Sequence, residues 1–164
     1  MTDAVTEELS VYPATTDEDM DVIRELFREY QAWLGVDLCF QGFEDELGSL
    51  PGVYASPLGR LYLAKDEATG QIAGCIATRP RDDGRCEMKR LYVRDAWRGR
   101  GLGRTLAELS LVEAKKAGHS HMCLDTLGQL TSAIALYASM GFREIDAYYD
   151  NPLDDVRYME IELH

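Results

Sequence analysis

Arg98, Arg100 and Arg104 are interleaved with Gly99, Gly101 and Gly103 in the stretch RDAWRGRGLGRTL, residues 94–106. Glycine lets a backbone turn tightly and come close to a ligand. A helix beginning near Gly101 offers unpaired N–H groups and the positive end of its dipole, and arginines add formal charge to the same spot. Together these features make an anion site, and a phosphate or pyrophosphate is its natural guest. Taken alone, the same residues also describe a glycine-rich helix entry with exposed arginines. Two nucleotide motifs are excluded. The pattern GxGxxG fails because its last position is Arg104 counted from Gly99 and Leu106 counted from Gly101. No GK[ST] follows at P-loop spacing either, so a dinucleotide or nucleotide binder is set aside.

The remainder of the chain bounds the setting. A formal net charge of −12, from 17 Lys and Arg against 29 Asp and Glu, argues against nucleic acid, whose phosphates want a basic face. An acidic surface keeps a protein soluble and also suits a cationic substrate. Cys39, Cys75, Cys86 and Cys123 are well separated and form no CxxC pair; buried reduced thiols are expected, as in a cytoplasmic protein. His119 and His121 flank Ser120 without acids or thiols at ligand spacing, so no metal is expected. The N-terminal MTDAVTEELS lacks an apolar secretory core, and no apolar run approaches the ~20 residues that cross a bilayer. A single domain over residues 1–164 follows, with residues 1–7 as a flexible tail.

Periodicity places the elements. ELSVYPA supplies a short strand. Thr15 with Glu18 reads as a capping box ahead of Met20, Ile23, Leu26, Phe27, Tyr30 and Leu34 at helical spacing, with Gly35 at the helix end. Residues 36–59 are irregular apart from a short helix in FEDELGSL. RLYLAKD, QIAGCIATR and CEMKRLYV form three strands joined by tight turns. A helix runs from Leu102 to Gly118, HMCLDTL is a strand, TSAIALYASM a helix stopped by Gly141, and FREIDAYY and VRYMEIEL close the chain as strands. The expected fold is α/β (α+β), a mixed, mostly antiparallel sheet of six to seven strands with four helices, and one parallel strand–helix–strand crossover in its middle.

Within that order, CEMKRLYVRDAWRGRGLGRTL resembles the acyl-CoA signature of the GNAT superfamily of N-acetyltransferases. The pattern, Gln or Arg followed by xxGxG behind a strand ending in an LxV-like run, is met by Arg98, Gly101 and Gly103 behind Leu91, Tyr92 and Val93. AIALYASMGF resembles the family's second signature, and the element order agrees from about residue 9 to residue 163. The resemblance implies that the amides of Gly99, Arg100, Gly101, Leu102, Gly103 and Arg104 hold the pyrophosphate of acetyl-CoA. It also implies that Leu91 and Val93 pair through their backbones with the pantetheine arm. Relatives often carry an asparagine where Leu130 stands, which shifts that contact to Thr131 or Ser132.

The same resemblance assigns chemistry. Glu87, eleven residues ahead of Arg98, sits at the offset of the general-base glutamate in the histone-acetylating branch; unbroken alternation puts it on one face with Lys89, Leu91 and Val93. Tyr137 matches the tyrosine that protonates the leaving thiolate. Asp125, on the strand after the pyrophosphate helix, either faces the acceptor or caps a local turn, and Tyr148, Tyr149, Asp150 and Asn151 lie in the final strand–strand connection, an edge that can close over the acceptor. Tyr30, Trp33 and Phe40 border the segment that walls the acceptor pocket in the family's layout, with core packing the alternative for Tyr30 and Trp33. Arg79 and Arg81, at a strand end, either meet an acceptor carboxylate or lie in a solvated turn. The expected function is acetyl transfer from acetyl-CoA to a small-molecule or peptide amine by direct attack in a ternary complex. The alternative is a catalytically silent acyl-CoA sensor of the same fold. The family's habit of pairing adds a homodimer to the expectations.

Overall fold

The computed structural model describes residues 9–38 and 42–164; the expected tail, Cys39 and Phe40 lie outside the described residues. Seven strands form one sheet: β1 (Leu9–Pro13), β2 (Arg60–Asp66), β3 (Ile72–Pro80), β4 (Cys86–Val93), β5 (His121–Leu127), β6 (Arg143–Ile145) and β7 (Val156–Glu162). Their spatial order is β1-β2-β3-β4-β5-β7-β6, and all neighbours are antiparallel except β4 and β5. Four α-helices accompany the sheet among the described residues, α1 (Asp17–Leu34), α2 (Phe43–Ser49), α3 (Leu102–Lys116) and α4 (Thr131–Ser139). The mixed, mostly antiparallel architecture read from periodicity is the one that folds. No helix among the described residues is long and apolar enough to cross a membrane.

The two faces of the sheet bury separate cores. Leu102, Leu106, Ala107 and Ala114 of α3 pack with Ile76, Met88, Met122 and Leu124 on one face. Met20, Ile23, Leu26 and Phe27 of α1 pack with Phe43, Leu47, Leu63, Cys75 and Ala77 on the other. The start of α1 is set one residue later than the sequence suggests. Thr16 is the N-cap, its Oγ1 accepts from the Asp19 N–H at 3.0 Å, and Asp19 Oδ2 accepts from the Thr15 and Thr16 N–H groups at 2.9 and 3.1 Å. Asp19, not Glu18, closes the box. Thr16→Ala is expected to cost about 1 kcal/mol in urea denaturation, with Thr15→Ala near neutral.

A bulge in β4 shapes the centre. Cys75 faces Tyr92 but Ala77 faces Lys89, so β4 carries one extra residue, and Arg90 takes a φ of 60° there. The inserted residue bends the strand and flips the alternation. Cys86 and Met88 before the bulge, and Leu91 and Val93 after it, all turn to the α3 face, while Tyr92 turns to the α1 face. This corrects the unbroken alternation: Glu87, opposite Arg79, lies on the other face from Leu91 and Val93. A second correction concerns the end of the chain. Only Arg143–Ile145 of the expected strand 142–149 pairs in the sheet; the chain then leaves it and stacks Tyr148 and Tyr149 against Tyr158 of β7.

Candidate active site

β4 and β5 are in register only at Cys86–Met122 and Glu87–Cys123. Beyond those pairs the strands part, and a cavity of about 490 Å³ opens between Met88–Val93 on one side and Leu124–Leu127 on the other. The first turns of α3 and α4 and the end of α1 complete its walls. An open strand pair inside a protein leaves backbone N–H and C=O groups in need of partners, so the gap suits a ligand that binds along a strand. Val93 is partly committed already: its carbonyl accepts from Arg98 Nε at 2.8 Å.

The glycine–arginine loop is pinned at its entry. The Arg94 N–H donates to the Ala73 carbonyl at 2.8 Å, and its guanidinium spans Glu25 and Glu29 of α1 at 2.8 and 2.7 Å. Trp97 is buried and donates from Nε1 to Asp66 at 2.9 Å. From this anchor, Gly99 and Gly101 both adopt φ of 80°, and Gly101 caps α3 without a side-chain acceptor. The N–H groups of Leu102, Gly103 and Arg104 therefore point out of the helix unpaired. An added Cβ at Gly99 or Gly101 meets nothing within 4 Å, so open space lies beside the loop and the backbone angle is what demands glycine. Backbone amides at a dipole's positive end fit a pyrophosphate.

The arginines divide. Arg98 lies over Trp33 at 4.9 Å besides holding Val93. Arg104 donates to Ser139 Oγ at 2.5 Å and lies 3.7 Å from Glu108. Arg100 is exposed and makes no ion pair with a described residue. Of the expected cradle, Arg98, Gly99, Gly101, Leu102 and Gly103 line the cavity, as do the backbone stretch Leu91, Tyr92 and Val93; Arg100 and Arg104 stand outside its wall. Leu130 caps α4 with no side-chain bond, and Ser132 and Ala133 of that first turn face the cavity where Thr131 does not.

Tyr137 reaches the cavity from α4 with only 7% of its surface exposed, its ring against Phe142 at 5.7 Å. Burial, helped by Tyr30 and Asp125 nearby, pushes its phenol well above the ordinary value, so it stays protonated at neutral pH. Its hydroxyl makes no hydrogen bond to a described residue. Asp125 lines the cavity from β5 and accepts hydrogen bonds from the Tyr149 hydroxyl and from Asn151 Nδ2. Glu87 sits one step back, 3% exposed and outside the cavity wall. Tyr148 donates to its Oε2 at 2.7 Å, and Arg81 lies 3.7 Å from its Oε1. Burial, then the neighbouring Arg90 charge, lowers the Lys89 ammonium.

One part of the site had no sequence signal. Arg90, thrown inward by the bulge, forms a two-pronged pair with Glu46 of α2, Nε to Oε2 at 3.1 Å and Nη2 to Oε1 at 2.8 Å. Tyr54 donates to the same carboxylate at 2.8 Å. This buried pair fixes the bulge, and with it the mouth of the strand gap.

Splayed parallel strands behind a bulge, with a glycine-rich helix start at the gap, define a cleft suited to an extended ligand with an anionic end. The family model described as the acetyltransferase (GNAT) domain matches residues 57–144. A Schizosaccharomyces pombe protein named as an uncharacterized N-acetyltransferase is 40% identical over 156 residues, spanning 94% of this chain and 95% of its own. A GNAT-family acetyltransferase from Staphylococcus aureus aligns with a TM-score of 0.78 at 20% identity, over 95% of this chain and 99% of that one. The structure of yncA from Salmonella typhimurium with its cofactor acetyl-CoA gives 0.68 at 20% identity, over 95% and 94% of the two chains. The chain belongs to the GNAT superfamily of N-acetyltransferases.

Proposed function

We propose that this protein transfers the acetyl group of acetyl-CoA to a primary amine by direct attack in a ternary complex. The observation that carries the reading is the β4–β5 gap, which brings the α3 amides, the Tyr137 phenol and the Asp125 carboxylate to one cavity. Bound acetyl-CoA supplies an activated thioester. The amine arrives mostly as ammonium, since an alkyl amine titrates at about 10.4, and gives its proton to the Asp125 carboxylate on the α1 face of the cavity. Asp125 lies in the wall, bound by the Tyr149 hydroxyl, and Glu87 lies behind it, bound by the Tyr148 hydroxyl. The freed nitrogen forms a C–N bond as the C–S bond breaks, and Tyr137, still protonated, donates to the departing sulfur. Cys75 and Cys86 are pushed up to about 12 and Cys123 to about 11 by burial, which suits attack by the amine itself over a thiol relay. Reduced buried thiols also fit a cytoplasmic setting.

A silent acyl-CoA sensor would have no use for a buried phenol held free of other partners at the cavity. Calorimetric titration with acetyl-CoA tests the shared first step. Gly101→Val forces a branched side chain onto a φ of 80° and re-aims the amides of residues 102–104. Affinity for acetyl-CoA is expected to fall about tenfold or more, and the backbone strain of about 1–3 kcal/mol to lower the thermal midpoint by several degrees. Unaltered affinity would remove the loop from the cofactor site.

A further inference from the structure

The α1 face of the sheet carries a pair of arginines whose needs the protein does not meet. Arg79 stands opposite Glu87 in the β3–β4 register, and cross-strand partners share a face. Arg81 follows it at the mouth of the hairpin, 3.7 Å from Glu87 and stacked on Tyr148 at 4.6 Å. The Nε atoms of both arginines are buried without a hydrogen-bond partner, and the Arg79 side chain makes no hydrogen bond or ion pair with any described residue. Buried donors left unpaired are rare in folded proteins and costly, most of all on a cation. Here two fall on neighbouring side chains of one type. The nearby cations differ: Arg85 is bound to Asp83 and Glu160, each at 2.8 Å, and Arg90 to Glu46. The local carboxylates are thus already engaged, and Glu87 is shared between Arg81 and Tyr148.

The pair lies within reach of the reaction. Glu87, opposite Arg79, is two residues from Lys89, which lines the cavity, and two strand residues span about 7 Å. Neither arginine lines the cavity itself, so an acceptor whose amine lies near Asp125 has to extend its second group past Lys89 and Glu87 to meet the guanidiniums. Resting on the transfer reaction above, we propose that the acceptor is an anionic amine, an amino acid or similar compound, whose carboxylate is bound by Arg79 and Arg81. The Nε atoms are closed off, so the contact on offer is end-on, through the Nη groups, which are not among the buried unpaired atoms. The chain-wide charge of −12 suits a cationic acceptor only as an average and does not describe the neighbourhood of these two arginines.

The test compares each amino acid in a panel with its amide and with the amine lacking the carboxylate. Transfer is expected to favour the free acid by about tenfold or more in kcat/KM. Arg79→Gln and Arg81→Gln should each raise KM for the acid by about 10- to 100-fold and bring the acid-to-amide ratio towards one. Coenzyme A affinity measured on each variant reports that the fold is intact. A second readout does not depend on turnover: thermal-shift binding of the same compounds to the protein saturated with coenzyme A, expected to favour acids and to lose that preference in Arg79→Gln. Turnover or binding that ignores the carboxylate, or favours amides, overturns this assignment and leaves acetyl transfer standing. A binding preference without turnover of any amine does the reverse.

Discussion

Tyr137→Phe is expected to lower kcat for amine acetylation by about 100-fold while leaving acetyl-CoA affinity within about twofold. The substitution removes one oxygen from a ring that keeps its contact with Phe142. Because the hydroxyl bonds to no described residue, its loss strands no partner, and the folded state has little to lose. The effect falls on the step in which sulfur departs with developing negative charge. A phenol held above its ordinary value by burial remains a donor throughout the neutral range, so wild-type kcat should show no fall from Tyr137 ionisation below pH 9. General acids of this kind contribute about 10²- to 10⁴-fold. Steady-state kinetics at saturating acetyl-CoA, with a thermal melt on the same sample, check the prediction. An unchanged kcat would return Tyr137 to the role of a packing residue.

The largest stability effect is expected from Glu46→Gln. The Arg90 side chain is 3% exposed and the Glu46 side chain 13%, so removing the negative partner leaves a desolvated cation behind. Breaking such a pair costs about 3–5 kcal/mol, or about 10 °C in Tm for a chain of this size. The effect has a pH signature. Burial opposes ionisation of Glu46, but hydrogen bonds and charge from Arg90, with the Tyr54 hydroxyl, outweigh it and hold the carboxyl below its ordinary value. A group depressed in the folded state adds stability that is complete above its unfolded pKa, near about 4.3, and is lost as pH falls through the folded value. The gap between wild type and Glu46→Gln should therefore be widest at neutral pH and close in acid. The double variant Glu46→Leu/Arg90→Met should recover much of the loss, since no charge is then stranded. A gap below 1 kcal/mol, or one that ignores pH, contradicts the account.

These two sites also mark how far the sequence could be read. The strand and helix order followed from periodicity, and the loop at 98–104 from glycine spacing, because both are local properties. Tyr137 was visible as part of a signature, and the structure puts it at the cavity. The bulge was not visible. Nothing within CEMKRLYV marks Arg90 as the residue that takes a positive φ, since the cause is a carboxylate 44 positions away on α2. One extra residue then reversed the faces and separated Glu87 from Leu91 and Val93, which strict alternation had joined. The helix cap slipped by one because two threonines and two acids compete there, and only three-dimensional geometry chooses Thr16 and Asp19. Tyr148 and Tyr149 read as strand residues because aromatics favour strands; packing against Tyr158 drew them over the sheet face instead.

The bulge and the polar face belong to one arrangement. Arg90, turned inward, leaves β4 bent away from β5, which opens the strand backbone along the gap. The same bend leaves Lys89 and Asp125 on the cavity wall towards α1, with Glu87 next to them. The acid-rich remainder of the surface plays no part in that geometry.

The most direct test of the central claim is chromatographic measurement of free coenzyme A released from acetyl-CoA across a panel of amines at pH 7–8.5, with mass spectrometry of the amine product. A thiol-reactive dye is unsuitable in a chain with four cysteines. The account predicts release that depends on the amine, matches acetylated product one for one, and collapses in Tyr137→Phe. Acetyl-CoA that binds tightly and is never discharged by any amine would contradict it and leave the silent sensor in its place.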